Sequence, residues 1–205
     1  MPNTWDPSSL DPDAGLQRLV EGNRRFLAGT GKQPRGFDAQ TMAAAQRPFA
    51  IVLGCSDSRT PVEILFDQGF GDLFVVRVAG NIVAPSIVGS IEFAASAFGT
   101  RLVVVMGHTG CGGITATVQA IGGQGPASKN LRAITDRIAP HIESIARRDT
   151  GPQGLREAMQ ANVRASVDHL RHGSQILEEL VIKGRLRVVG SEYVLETGEV
   201  NFFDH

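Results

Sequence analysis

In Cys55-Ser56-Asp57-Ser58-Arg59 a thiol, a carboxylate and a guanidinium stand at alternate positions. A second stretch, Gly107-His108-Thr109-Gly110-Cys111-Gly112-Gly113, sets an imidazole and another thiol in the spacing His-x-x-Cys, from which both reach one ion. Thiolate and imidazole together are ligands of the zinc type, with sulfur at about 2.3 Å and nitrogen at about 2.0–2.1 Å around a tetrahedral ion. Cys55, His108 and Cys111 supply three ligands. A fourth position left open marks a catalytic site rather than a closed structural one. The chain has two cysteines, and both fall in these stretches. A disulfide is disfavoured in a reducing cytosol, and inert thiols need no such neighbours.

What fills the fourth position turns on Asp57. A free carboxylate would bind zinc itself and shut the site. A bidentate pair with Arg59 holds it ionised and turned away. Asp57 then only accepts a hydrogen bond, which selects zinc-bound hydroxide with its hydrogen toward Asp57 and a lone pair toward substrate. The plainer alternative is a surface salt bridge beside a structural zinc, worth little. Gly107, Gly110, Gly112 and Gly113 are expected to clear space around the ion and to permit positive φ. Cys111 falls at a helix start, where the macrodipole favours a thiolate.

Both stretches lie where an apolar run meets a helix start. The run 49–54 reads as a buried strand, and Thr60-Pro61-Val62-Glu63 reads as a capping box with proline at the first helical position. The run 101–106 is a second such strand, and residues 114–121 are the helix after it. Ligands bind at the carboxyl ends of strands in open α/β sheets, so the two strand ends read as neighbours with one metal between them.

The other elements follow from periodicity and punctuation. Asp11 caps a helix begun by Pro12, with Leu16, Leu19, Val20, Phe26 and Leu27 at helical spacing and Gly29 at its stop. It precedes the first strand and reads as an arm, free to pack on a partner chain. Residues 29–36 are a loop, and Asp38 caps a short helix ending near Gln46, broken by Arg47-Pro48. Gly69 and Gly71 end the short helix after Thr60. Residues 72–77 are a strand, 79–81 its exit loop, and 86–98 a helix stopped by Gly99. Residues 122–126 read as a flexible loop. Helices are expected over 128–146, with a break at Pro140, over 155–172, and from a Ser174 cap to Ile182. Residues 186–190 are the last parallel strand, and 192–195 with 199–203 form a hairpin around Thr197-Gly198. Strand and helix alternate, so the class is α/β with a mainly parallel sheet flanked by helices. The division is an N-terminal helical arm, 1–37, and a zinc-binding α/β catalytic domain, 38–205.

A chain of 205 residues with formal net charge −1 gives no bulk electrostatic reason to expect nucleic acid or membrane as a partner. No apolar run approaches the roughly 20 residues of a membrane span. The stretch Met1-Pro2-Asn3-Thr4-Trp5-Asp6 lacks the basic and apolar regions of a signal peptide, which favours the cytoplasm.

Cys-Ser-Asp-Ser-Arg at 55–59 followed by Gly-His-Thr-Gly-Cys-Gly-Gly at 107–113 resembles the β-class carbonic anhydrases. The likeness extends through residues 63–69, 74–77, 79–81 and 90–93, and loosely to 193–198. It implies one zinc ion per chain, reversible hydration of carbon dioxide to bicarbonate and a proton, and a homodimer or tetramer. It also implies a sheet of four parallel strands with an antiparallel fifth at the C-terminal end. By resemblance Cys55, His108 and Cys111 are the ligands, Asp57 and Arg59 the catalytic dyad, and Phe74, Phe93 and Gly112 substrate-pocket positions.

Some members bind bicarbonate at an inhibitory site through a tryptophan three residues before the first cysteine. This chain has Val52 there, and Thr60 where those members carry a small apolar residue; of that trio Arg77 remains. Plant-like members place a glutamine nine residues before the cysteine, and Gln46 stands at that position. Its amide would donate to a substrate oxygen and to charge developing on the product. Phe93 falls where plant forms have tyrosine, removing one polar contact. The resemblance therefore points to the plant-like type I, non-allosteric subtype.

His141, His169, His172 and His205 have no companion ligands at suitable spacing and read as exposed helix or tail residues. Glu92 is expected to pair with Arg77 structurally. Two alternatives stand beside gas hydration. One is hydrolysis of carbonyl sulfide or carbon disulfide on the same scaffold. The other is a non-catalytic zinc module, which would need none of Asp57, Arg59 and Gln46. Two thiolates offset the zinc charge, whereas three neutral imidazoles leave it whole, so bound water here is less acidified than the pKa of about 7 known for three histidines. The hydration rate is expected to rise from about pH 7 to about 8.5 in stopped-flow assays; a profile flat from about pH 6 upward contradicts the thiolate argument.

Overall fold

The run 50–54 is apolar at every position but its final glycine, and it forms β1 (Ala50–Gly54), buried along its whole length. The run 102–106 does the same in β3 (Leu102–His108). Strands hidden on both faces need continuous apolar sequence and helices on either side, and this chain supplies both. The computed structural model describes residues 10–31, 39–125 and 128–203. Besides β1 and β3, the strands are β2 (Leu73–Arg77), β4 (Arg187–Tyr193) and β5 (Val200–Phe202), in spatial order β2-β1-β3-β4-β5. The first four run parallel and β5 pairs antiparallel with β4, so the expected sheet is the one observed.

The chain steps from β1 outward to β2, then crosses back to lay β3 on the other side of β1. That reversal opens a crevice between the carboxyl ends of β1 and β3. Cys55 follows β1 directly, and His108 is the last residue of β3.

Helices α4 (Pro85–Ala97), α5 (Gly112–Ile121), α6 (Lys129–Arg148), α7 (Pro152–His172) and α8 (Gln175–Ile182) cover one face. Ile51, Leu53, Val103 and Val105 of the sheet pack there with Ile91, Ile114, Ile138, Met159 and Leu177. Ser174 caps α8 as expected, its hydroxyl accepting the Leu177 N–H at 3.2 Å. Two boundaries differ. Helix α6 passes through Pro140 unbroken, because Ile138 and Ile142 on either side are both anchored in the core. Helix α7 begins at Pro152 rather than Leu155, with proline in the first turn, where its missing N–H leaves no intrahelical bond unmade.

The second face holds α1 (Pro12–Leu27) and the single-turn α3 (Val62–Leu65), with α2 (Ala39–Ala44) leading into the coil before β1. Asp11 caps α1 by accepting the Asp13 N–H at 3.0 Å, and Gly29 turns at φ 64° beyond its end. The helix that the sequence left as an arm for a partner chain lies on its own sheet. Leu19 packs with Val52, Phe66, Leu102 and Val104, while Leu27 is exposed. The docking depends on residues without hydropathy signal. A Cβ on Gly22 would sit 1.8 Å from the Phe66 carbonyl oxygen. The Asn23 amide donates to Leu65 O and Gly198 O, both at 3.1 Å, and accepts from Val200 N at 3.0 Å. Asp38, the loop through Gly36, the division at residue 37, Pro126 and His205 lie outside the described residues.

Two further expectations are corrected. Thr60 does not cap α3, whose capping position is Pro61 without a side-chain bond. Its hydroxyl turns back to Asp57 O at 2.9 Å and Cys55 O at 3.2 Å. Residues 187–193 are one strand rather than a parallel strand and the start of a hairpin. The polar residue that interrupts the apolar pattern, Glu192, is buried but held by Arg156 at 2.6 and 2.9 Å, so the strand continues through it.

Gly22→Ala is expected to lower the unfolding free energy in urea by about 1–3 kcal/mol or more, as overpacking against a fixed carbonyl. Arg24→Ala on the exposed side of α1 should stay within about 0.5 kcal/mol of wild type.

Candidate metal centre

Cys55 ends its strand with Sγ buried and accepting the Gly80 N–H at 3.3 Å. His108 is 1% exposed. Its Nδ1 lies 2.8 Å from Thr109 O and donates to it, which leaves the Nε2 lone pair facing inward. Cys111 is buried at the N-cap of α5. The two sulfurs and one imidazole nitrogen lie within 4.8 Å of one another.

Nε2 of His108 is sealed from water and has no hydrogen-bond partner among the described residues. A buried polar atom left so is destabilising unless something else meets it. Two thiols stand where a tetrahedral cation would bond all three atoms, so the donor set fits zinc.

The two thiols shift each other in opposite directions. The Cys55 thiol is drawn down to about 4, first by a hydrogen bond from Cys111; burial opposes this, and His108 and the Gly80 N–H add to it. Cys111 is pushed up far above an ordinary thiol by that same bond and by burial, with the Ile114 and Gly113 N–H groups pulling the other way. A divalent cation held by these residues would bind both sulfurs as thiolates and release the remaining thiol proton.

Asp57 and Arg59 form the expected fork. Arg59 Nε donates to Asp57 Oδ1 at 2.9 Å, its Nη2 to Oδ2 at 2.7 Å, and its backbone N–H to Oδ1 at 3.0 Å. These bonds hold the Asp57 carboxyl well below the usual carboxylate range, against a smaller contrary effect of burial. The guanidinium is 56% exposed and the carboxylate 17%. Asp57 Oδ2 stands 3.9 Å from His108 Nε2, so the dyad borders the three ligands directly.

These motifs sit in a chain whose relatives are consistent. The family model described as "Carbonic anhydrase" matches residues 50–200. Carbonic anhydrase 2 of Mycobacterium tuberculosis is 38% identical over 207 aligned residues, covering 100% of this chain and 96% of that protein. The structure of the β-carbonic anhydrase CcaA superposes with a TM-score of 0.71 at 26% identity, covering 92% of this chain and 95% of that one. The chain belongs to the β-class carbonic anhydrases. A tetrameric β-carbonic anhydrase from Sordaria macrospora shares the fold at a TM-score of 0.73 and 23% identity, over 93% of this chain and 97% of that one.

In this β-carbonic anhydrase the pocket positions fall on three elements, β2, α4 and α5. Phe74 is half-buried on β2, its ring 6.5 Å from that of Phe93 and 6.2 Å from that of Phe98. Phe93 itself is 55% exposed. Gly112 is exposed in the first turn of α5. Gln46 is exposed in the coil that enters β1, whereas Cys55 leaves the other end of that strand. A single chain does not bring Gln46 to Asp57. His141, His169 and His172 are exposed, as expected.

Two of the four motif glycines, Gly107 and Gly113, are required by close packing. Of Gly107, Gly110, Gly112 and Gly113, positive φ occurs at Gly110. A Cβ on Gly107 would meet Met159 Sδ at 2.5 Å, and one on Gly113 would meet Gly80 Cα at 3.0 Å. Gly80, at φ 69°, presses its backbone on Gly113, and this contact seats its N–H against Cys55. Asn162 of α7 fastens the same loop, its buried amide donating to Gly80 O at 2.9 Å. The sequence places Gly80 in an exit loop and within the family likeness but gives it no role at the site, and it does not single out Asn162. The available signals were a glycine at a strand exit and an amide on an apolar helix face. Glu92 does not meet Arg77; it accepts from the Ser174 hydroxyl at 2.6 Å, and Arg77 turns toward the Cys55 loop.

Gly113→Ala forces Gly80 away and lengthens its bond to Cys55. Zinc affinity is expected to fall roughly tenfold or more in chelator competition, while Gly89→Ala, whose Cβ meets no described atom within 4 Å, should leave it unchanged.

Proposed function

We propose that this β-carbonic anhydrase catalyses the reversible hydration of carbon dioxide to bicarbonate and a proton, with Asp57 and Arg59 as its catalytic dyad. Zinc, when held by Cys55, His108 and Cys111, supplies a Lewis acid that acidifies water at neutral pH. Asp57 has one role left to it. Held ionised by Arg59, it accepts a hydrogen bond and cannot donate one, so it fixes where the attacking oxygen carries its hydrogen and turns the lone pair to the carbon of the gas. The observation that carries this reading is the Arg59 fork on a carboxylate 3.9 Å from the ligand atom of His108. A structural zinc needs no such neighbour. The relatives above are named carbonic anhydrases, which favours carbon dioxide over its sulfur analogues.

The sign of the pH effect follows from Asp57. Its carboxyl is lowered in the folded chain, so its pairing with Arg59 is present above the ordinary carboxylate pKa of about 3.9 and is lost only well below it. The dyad is therefore intact through the whole range in which the hydration rate is expected to rise.

The remaining pocket belongs to an assembly. Gln46 and Phe93 are exposed in one chain. We place them at the contact of a homodimer or tetramer, where Gln46 serves a neighbour's centre by donating to a substrate oxygen. Phe74, Phe93 and Gly112 line that pocket. Val52 stands where the inhibited members carry tryptophan, which supports the non-allosteric type I reading. Among the described residues no helix is long and apolar enough to cross a membrane; the cytoplasm is the proposed compartment. Residues 38–205 are proposed as the catalytic domain, with α1 of segment 1–37 completing its second face.

A D57N variant is expected to lose at least roughly a hundredfold in kcat/KM for hydration while keeping stoichiometric zinc by metal analysis. Wild-type turnover in D57N would overturn the catalytic role of Asp57 and with it the dyad.

A further inference from the structure

Arg77 is the last residue of the edge strand β2, in register with Gly54 of β1. Arg77 is exposed, but its side chain folds back onto the loop that follows β1. Nε donates to Cys55 O at 2.8 Å, and Nη2 donates to Asp57 O at 2.6 Å and to Thr60 Oγ1 at 3.2 Å. The Thr60 hydroxyl donates its hydrogen bond toward the same two carbonyls, at 2.9 Å from Asp57 O and 3.2 Å from Cys55 O. The backbone N–H of Thr60 closes the turn onto Asp57 O at 3.0 Å. Thr60 is fully buried. One guanidinium thus spans the segment from a zinc ligand to the catalytic carboxylate.

We propose that Arg77 is a positioning residue of the hydration reaction: it clamps the backbone of Asp57 so that the carboxylate stays on Arg59 and off the metal. This rests on the role of Asp57 proposed above. The clamp has something to prevent. Asp57 Oδ2 lies 3.9 Å from the nitrogen that would bind the ion, so a modest turn of the segment brings the carboxylate to the ion's fourth position. Arg59 restrains the carboxylate alone, from a side chain 56% exposed. Arg77 restrains the carbonyl of the same residue, and one aspartate is held at both ends by separate arginines. Two of the three guanidinium nitrogens of Arg77, Nε and Nη2, are engaged on this loop.

The geometry requires a planar fork, which lysine lacks. The test compares R77A and R77K with wild type in two measurements. One is kcat/KM for carbon dioxide hydration. The other is azide affinity of the cobalt-loaded protein by visible absorption, which reports whether the fourth position is open. Both variants are expected to lose roughly tenfold to a hundredfold in each measurement, the loss of charge-assisted bonds. Millimolar guanidinium should restore both in R77A and neither in R77K. Wild-type azide affinity in both variants overturns the clamp, and so does an R77K that matches wild type, since charge alone would then suffice. If R77A does not fold, the R77K azide titration decides by itself. D57N separates the two readings. An active D57N removes the dyad role, whereas an inactive D57N beside wild-type R77 variants removes the clamp alone.

Discussion

An imidazole nitrogen with a bare lone pair, sealed from water beside two thiols, is at ease only with a cation among them. The neighbours of His108 favour that resolution. Thr109 O accepts the Nδ1–H, so in the neutral ring Nε2 turns its lone pair inward. Cys55 is drawn toward thiolate by the Gly80 N–H as well as by Cys111, and Cys111 keeps its proton because Cys55 accepts it. Zinc uptake is then an exchange of cation for proton, and its affinity rises with pH.

That arrangement requires three pieces of chain to meet without a common element. The reversal of strand order between β1 and β3 delivers Cys55 and His108 to adjacent strand ends, and the first turn of α5 adds Cys111. What locks them is a contact between two glycines. Gly80 and Gly113 approach so closely that a side chain on Gly113 would overlap the other's backbone. The edge strand β2 thereby reaches a centre to which it gives no ligand, through the N–H of Gly80 and the guanidinium of Arg77. Helix α7 fastens the same loop from behind through Asn162.

The meeting of Cys55, His108 and Cys111, the pairing of Asp57 with Arg59 and the class of sheet were legible in the sequence because each rests on a strong local constraint. Few residue types bind zinc, a carboxylate two residues before an arginine invites a fork, and a run such as Val103-Val104-Val105 has no place but a buried strand. What was not legible rests on partners distant in sequence. The docking of α1 runs through Gly22 and Asn23, which carry no periodicity, and Asn23 meets residues 42 and 175 positions away. Glu192 broke the pattern of β4 because its partner Arg156 lies 36 positions upstream. Thr60 followed by Glu63 has the look of a capping box, yet two carbonyls of its own turn compete for the hydroxyl. Gln46 is nine positions from Cys55 in the chain but at the far end of the strand, a separation that spacing alone cannot convey.

An exposed ion pair is weak, with measured values of about 0–1 kcal/mol, yet Asp57 must be kept from a cation that would bind it strongly. Attraction to Arg59 alone is a poor means of doing so, since the pair is open to solvent along the arginine. Restricting the backbone is a better one. Bonds to the carbonyls of Cys55 and Asp57 add little to the attraction between the charges, but they remove the conformations in which the carboxylate could leave. The fully buried Thr60 makes that restriction stiff, because its hydroxyl has no water to take instead. A solvent-facing dyad can then behave like a buried one, and the rim of the metal centre stays open to gas and water without losing its order.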